Sequence, residues 1–282
     1  INMLGNIKTK DNVIRREFRL KEGQLFDGTK LKRSKQRINN LNYFEDVKID
    51  TKRGESPELI DILATVTEKP TGTFTVGAGF SNVENLIFTT SIAQNNLLGN
   101  GHRVNLTASL SSIRTNFNLS FTEPRLFDSE ISAGVDAFNQ DQNFLSFNSL
   151  TSGAGFRFVK NISEYETVNL GYRFETVEVT GVRQANVTQF LFNGNRTTSR
   201  VSPSYVYDSR DYFLHTSQGW RHVLGFDFAG LGGMKFTRSR YQITHYHPLA
   251  GKLVAAGNAR VNFAEGYDGD SLHSFETVSY TH

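Results

Sequence analysis

The chain has 282 residues, with 31 Lys and Arg against 28 Asp and Glu, and no cysteine. The missing thiol excludes disulfides, Cys-ligated zinc and thiol catalysis, and a net charge of +3 with a pI near 9.0 is too mild to imply a nucleic-acid partner. Mean hydropathy is −0.40, and no apolar run approaches the ~20 residues of a spanning helix, so a membrane could be crossed only by a closed β-barrel.

Ile1-Asn2-Met3-Leu4 has no charged start followed by an apolar stretch. No signal peptide is read there, and the chain is expected to begin partway into a longer precursor. Residues 1–70 read as a small α+β domain of order β-α-α-β-β. Ile1 to Lys8 can form a first strand. Asp11 is placed to cap a helix over Val13–Phe18, and Asp27 or Thr29 to cap a second helix through Leu41. Leu31, Ser34, Ile38 and Leu41 share one face of that helix. Its cations Lys30, Lys32, Arg33, Lys35 and Arg37 read as a solvated face before a phosphate site. Phe44–Lys52 and Leu59–Val66 are strands around a turn at Gly54–Pro57. Glu68 to Gly72 is a linker, since Pro70 cannot extend a central strand.

Residues 73–282 read as strands of about ten residues, apolar and polar in alternation. Phe74, Val76, Ala78 and Phe80 take one face of the first strand, with Thr75, Gly77 and Gly79 on the other. Leu86–Gln94 follows, then a glycine turn at Leu98–Gly101, then strands at 103–112 and 115–123. Ile131, Ala133, Val135 and Ala137 mark the next. The series continues through Phe156–Phe158, Val168–Phe174, Val201–Tyr207, Trp220–Phe228, Phe236–Tyr246 and Leu253–Phe263. This gives about eleven strands, with a twelfth expected after Ser274. The polar faces are rich in Asn, Ser, Thr and Arg. That composition suits a transmembrane antiparallel barrel with lipid outside and water inside, incomplete over this length. The stretches 139–148 and 181–196 are expected as long polar loops. Tyr172, Tyr205, Tyr207, Trp220, Tyr241 and Tyr246 are candidate interfacial girdle residues.

No catalytic constellation emerges, and the chain is not expected to be an enzyme or to hold a cofactor. His245 and His247 share a strand face, but no third metal ligand is placed beside them. Asp208, Arg210 and Asp211 read as a charged turn or lumen network before an acid-base pair. Gly230-Leu231-Gly232-Gly233 precedes no helix, so it is no phosphate cradle.

Gly5-Asn6-Ile7-Lys8-Thr9-Lys10-Asp11-Asn12-Val13-Ile14-Arg15-Arg16-Glu17 resembles the opening of a polypeptide-transport-associated (POTRA) domain. Arg37-Ile38-Asn39-Asn40-Leu41-Asn42-Tyr43-Phe44-Glu45-Asp46-Val47 resembles the end of its second helix and the strand after it. Asn95-Asn96-Leu97-Leu98-Gly99-Asn100-Gly101, Phe121-Thr122-Glu123-Pro124-Arg125-Leu126-Phe127-Asp128 and Asp208-Ser209-Arg210-Asp211 with Thr216-Ser217-Gln218-Gly219 are similar to barrel motifs of the BamA family of outer-membrane β-barrel assembly proteins. The resemblance implies a POTRA domain at 1–70, last of a series and facing the periplasm, and the front of a barrel at 73–282. It implies a lateral gate at Phe74, Val76, Gly77, Ala78, Gly79 and Phe80, and an edge at Val47, Lys48 and Ile49 that binds extended peptide. The implied partners are unfolded outer-membrane protein precursors, accessory assembly lipoproteins and outer-membrane lipid. A two-partner-secretion pore of the same superfamily is the alternative. The family's barrel has roughly sixteen strands, in the even-numbered range of such barrels. Its Val-Arg-Gly-Phe/Tyr loop and closing strand have no match in these residues.

Overall fold

A computed structural model describes residues 1–54, 56, 58–182, 194–212, 215–251 and 253–268. Two compact units divide the chain. The first joins Ile1–Thr75 to Ser91–Leu106 and Phe121–Pro124, and the second holds Val76–Thr90, Thr107–Ser120 and the described residues from Arg125 onward.

The first unit opens with β1 (Asn2–Leu4), α1 (Asp11–Arg15), α2 (Gly28–Asn40), β2 (Phe44–Arg53) and β3 (Ile60–Glu68). The order β-α-α-β-β is the expected one. The three strands form a sheet in the order β1-β3-β2, with β1 parallel to β3 and β2 antiparallel to it. Asp27 caps α2 by accepting the N–H groups of Thr29 at 2.8 Å and Lys30 at 3.1 Å, which satisfies donors that a helix start leaves orphaned. Ser34 is fully buried on that helix. Its hydroxyl donates to the Lys30 carbonyl and accepts the Arg19 N–H, so burial leaves no unmet polar atom. Val13, Ile14, Ile38, Tyr43, Val47 and Ala64 form the centre of the core beneath the helices.

Two expectations for this region change. β1 covers only Asn2–Leu4 because Gly5, at φ +87°, turns the chain away where any Cβ would meet the Val66 carbonyl oxygen at 2.0 Å. α1 begins at Asp11 itself and ends at Arg15, so Asp11 is the first helical residue and Lys10 holds the cap position. The Asp11 carboxylate instead accepts the Asn6 amide at 2.6 Å.

Eleven strands follow: β4 (Gly72–Ser81), β5 (Asn85–Leu97), β6 (His102–Leu110), β7 (Arg114–Glu123), β8 (Ile131–Asn143), β9 (Asn148–Asn161), β10 (Glu166–Thr180), β11 (Gly194–Asp208), β12 (Gly219–Gly233), β13 (Phe236–Ala250) and β14 (Leu253–Gly266). They form one antiparallel sheet in strict chain order, with β4 and β14 at its ends. Their 9 to 15 residues reach or exceed the ~9–11 that a tilted strand needs to cross a bilayer. Among the described residues no helix is long and apolar enough to cross a membrane.

One face of this sheet is apolar and open. Phe74, Phe156, Leu224, Phe228, Val261 and Phe263 are 41% to 68% exposed, with their neighbours of the same parity. A continuous exposed band of this kind is a solvent-facing liability in water and the ordinary lipid-facing surface of a barrel. The opposite face is polar. Asp227, 1% exposed, accepts from Arg238 at 2.8 Å and Arg240 at 3.1 Å. Glu175 accepts from Arg173 at 2.8 Å, with Arg200 at 3.3 Å. Asp136 pairs with Arg157, whose other nitrogen donates to Ser120 at 3.0 Å.

Glycine makes room for these long side chains. In register, Arg157 lies opposite Gly134 on β8 and Gly171 on β10, and Gly155 separates Asp136 from Arg173. At Gly153, between Phe138 and Glu175, a Cβ would meet Phe138 Cζ and the Phe174 carbonyl oxygen, both at 2.5 Å.

The expected loop at 139–148 shrinks to 144–147. Asn139, Gln140, Asp141 and Gln142 continue the β8 alternation, and Phe144 stacks on Phe147 at 4.5 Å to close a tight turn. The connection expected over 181–196 and the strand expected after Ser274 fall largely or wholly outside the described residues. Tyr172 sits mid-strand, bonded to Ser199 at 2.9 Å, and Tyr246 lies with Asp208, Arg210 and Arg221 on the polar face, so neither belongs to a girdle.

A contrast between two glycines tests this packing. Gly153→Ala should destabilise the barrel by about 1–3 kcal/mol through overpacking. Gly79→Ala, where a Cβ meets nothing within 4 Å, should stay within about 0.5 kcal/mol of the parent. Urea-unfolding midpoints in detergent micelles measure both.

Candidate functional site

Among the described residues four strands have a single sheet partner, β1 and β2 in the small sheet and β4 and β14 in the large one, and β2 and β4 are the two expected from the sequence. In the three-stranded sheet β2 pairs only with β3. Of the three residues expected there, Val47 is 2% exposed and anchored in the core, Ile49 is half-buried, and Lys48 points out with its ammonium 3.3 Å from Asp46. Anchored side chains hold the strand still while its outer backbone groups stay unpaired among the described residues, which is the geometry that accepts an added strand.

The second edge is β4. Phe74, Val76, Gly77, Ala78, Gly79 and Phe80 all lie on it, and every residue from Gly72 to Phe80 is exposed. The apolar parity carries Phe74, Val76 and Phe80, at 68%, 64% and 71% exposure. The polar parity carries glycine where other strands carry long side chains. Beside Gly77 the nearest atom to a built Cβ is the Thr89 carbonyl oxygen at 4.0 Å, and beside Gly79 there is none within that range. Among the described residues these glycines relieve no clash, and they leave the strand weakly packed. The residues of β2 and those of β4 lie in separate sheets and form no joint site.

A third feature was not visible in the sequence. Within the first unit, the turn between β5 and β6 is docked on the loop that precedes α1. Asn96, 6% exposed, donates its amide to the Thr9 hydroxyl at 2.9 Å and accepts the Gly101 N–H at 2.7 Å. The Gly99 carbonyl accepts the Lys10 N–H at 2.9 Å, and the buried Tyr43 hydroxyl donates to the Gly101 carbonyl at 3.3 Å. Burial pushes the Tyr43 phenol above its ordinary pKa, which keeps it a donor. Glu123, at the end of β7, pairs with His102 and lies 4.0 Å from Arg16.

The turn fits because it has no side chains where the loop lies. A Cβ on Gly99 (φ +74°) would sit 1.8 Å from the Lys8 carbonyl oxygen, and one on Gly101 (φ +76°) would sit 2.6 Å from the Arg16 guanidinium. Glu68 fixes the other side of the loop, accepting the N–H of Lys8 at 2.8 Å and of Thr9 at 2.6 Å. Burial pushes the Glu68 carboxyl up, but the Thr9 hydroxyl and the N–H groups of Thr9, Lys8 and Ile7 outweigh it and hold the pKa below the ordinary 4.5.

Asp208, Arg210 and Asp211 form the charged turn expected. Arg210 grips Asp208 through two nitrogens at 2.7 and 2.6 Å. Asp211, held to about 2 by the Ser217 hydroxyl and by backbone N–H groups of Ser217, Gln218 and Tyr212, ties the turn together.

Comparison with known proteins agrees with this geometry. Residues 96–277 match the Omp85 superfamily domain, and residues 1–69 match the POTRA family described as a surface antigen variable number repeat. The outer membrane protein assembly factor BamA of Neisseria meningitidis serogroup B is 33% identical over 288 residues, covering 95% of this chain and 36% of that protein. BamA of Nitratidesulfovibrio vulgaris is 31% identical over 261 residues, covering 91% and 33%. The chain thus spans about a third of the length of these curated relatives. The crystal structure of Haemophilus ducreyi BamA lacking POTRA domains 1–3 superposes with a TM-score of 0.81 at 21% identity, over 97% of this chain and 56% of that one. CdiB from Escherichia coli gives 0.60 at 14% identity, over 96% and 55%. Both structural likenesses speak to fold.

Asn96→Ala should leave the Gly101 N–H without its acceptor and the Thr9 hydroxyl held by Glu68 alone, at a cost of about 1–3 kcal/mol. Faster hydrogen exchange at Thr9, Lys10 and Gly101 checks it. Because the folded pKa of Glu68 is lowered, its stabilisation is complete above the ordinary value of 4.5 and is lost as pH falls through the folded value. Acidification should therefore lower the urea midpoint of this unit, and Glu68→Gln should flatten that acid limb.

Proposed function

The chain belongs to the Omp85 superfamily, and we propose that it is the last POTRA domain and the front of the barrel of an outer-membrane protein assembly factor. It resides in the outer membrane, with the POTRA domain in the periplasm. Unfolded barrel precursors arrive as extended chains, and the β2 edge at Val47, Lys48 and Ile49 receives them by backbone hydrogen bonding. The β4 edge then templates the first strand of the incoming barrel. The work is non-covalent: a strand edge that most proteins must blunt is here left open for pairing. Accessory lipoproteins are partners in this reading through the periplasmic domain.

The observation that carries the proposal is β4 itself. Its inner positions, Gly77 and Gly79, are glycines where strands β8 to β13 carry long polar side chains, and no atom of the described residues lies within 3.9 Å of a Cβ built at either. A strand so weakly held can exchange partners. The secretion-pore alternative leans on the CdiB likeness, which is weaker in both TM-score and identity.

The test uses the full-length protein in liposomes with an unfolded reporter barrel. Changing Gly77 and Gly79 together to Val adds β-branched side chains that stiffen a strand into open space. Reporter insertion should slow by about fivefold or more, roughly 1 kcal/mol of barrier, while the variant still folds by its heat-modified mobility on gels. An unchanged insertion rate in a folded variant overturns the gate.

A further inference from the structure

The apolar face of the sheet carries a cluster that lipid tails do not explain. Near the start of β12 and the end of β13, Trp220 lies directly across from His245, and Tyr207 of β11 lies across from His222. Trp220 stacks on His245 with ring centroids 3.7 Å apart and on His222 at 5.7 Å. His222 Nδ1 is 2.8 Å from the Tyr241 hydroxyl, and His247 follows His245 at 6.1 Å. Trp220 and Tyr241 are 41% and 39% exposed. All of these side chains share the parity of Leu224, Phe226 and Phe228, so they belong to the lipid-facing surface.

Imidazole is a costly choice there. Ionisable side chains on a lipid-facing wall destabilise in proportion to depth, and are tolerated near the interface. A phenyl ring would stack on Trp220 as well as His245 does. The wall also gives His245 no hydrogen bond in return: its Nδ1 is buried without a partner. A metal does not account for the cluster, since no group of three His, Cys, Asp or Glu among the described residues is arranged to hold one.

We propose that Trp220, His222, His245 and His247 form a binding site for the headgroup of a phospholipid in the leaflet facing the periplasm. The leaflet assignment rests on the functional reading above. Strands alternate in direction, so β12 begins at the same end of the sheet as β4, the end entered from the POTRA domain. Imidazole N–H, indole N–H and phenol O–H are all donors, and the carboxylate that borders the cluster, Glu166 across from Tyr207, is already bonded by Tyr205 and Ser163. A phosphate diester accepts such donors. A headgroup ammonium would meet the flat faces of Trp220 and Tyr241, which attract cations. The acyl chains would run along Leu224 and Val261, which are open at 53% and 66%.

Native mass spectrometry of the full-length protein, released from detergent, tests the site. The probes are phosphatidylethanolamine, phosphatidylglycerol and diacylglycerol, which has the same tails and no phosphate. The parent protein should keep one phospholipid per chain and release diacylglycerol. The double variant His222→Phe/His245→Phe keeps the aromatic surface and removes the donors, and its phospholipid retention should fall about fivefold or more. His222→Gln/His245→Gln restores an N–H donor at each position and should recover part of that retention. Equal retention of diacylglycerol, full retention by the Phe variant, or no recovery in the Gln variant would each overturn the site. Lipid retention is read without reference to reporter insertion, so a failure here is distinct from a failure of the gate.

Discussion

Outward-turned apolar side chains leave the barrel backbone no water to bond with, so each N–H and C=O of a spanning strand must find its partner in a neighbouring strand. This requirement fixes much else. It demands strands long enough to cross, pairs them without interruption from β4 to β14, and sends the polar residues to the inner face. It also makes a strand with one partner energetically conspicuous. Among the described residues β4 and β14 are the strands of the large sheet with one partner, and β4 carries glycines instead of the long polar side chains that brace β8 to β13.

Those braces show what a firmly held wall looks like. Asp227 lies under two guanidinium groups, Glu175 between Arg173 and Arg200, and Arg157 over two glycines of adjacent strands. Desolvating such charges is expensive, and each pair holds only because both partners are present with hydrogen bonds to spare. The wall therefore has stiff strands in its middle and a bare one at its end. The docked turn at Asn96–Gly101 adds a second stiff element, tying the start of the barrel to the loop ahead of α1 through backbone groups that tolerate no Cβ.

Periodicity carried most of the fold in the sequence. The two-residue alternation located every strand in the described wall, and Asp27 marked the true cap of α2, because both are local effects that need no knowledge of neighbours. What escaped was tertiary. Asp11 looked like a cap, but Asn6 claims its carboxylate. The polar run after Phe138 looked like a loop, because inward-facing Asn and Gln read the same as solvent-facing ones. Gly134 and Gly153 carry no signal of their own in the sequence, yet each faces a bulky side chain on the next strand, Arg157 and Phe138 respectively. The β4 and β2 residues were reached through family resemblance; alternation alone would have treated β4 as one strand among eleven. The dock escaped for a related reason: Asn96 and the two glycines satisfy a hairpin turn, and nothing local says that the same atoms also face Thr9 and Lys10.

Strict chain order in the large sheet has a kinetic meaning as well. Every pairing joins segments adjacent along the polypeptide, so the loop that must close for each new strand is short, and its entropic cost grows little with the size of the barrel. The wall can be laid down hairpin after hairpin, with a fresh edge displayed at every stage. On the reading proposed above, a protein that offers an edge to an incomplete barrel is itself built as a succession of such edges.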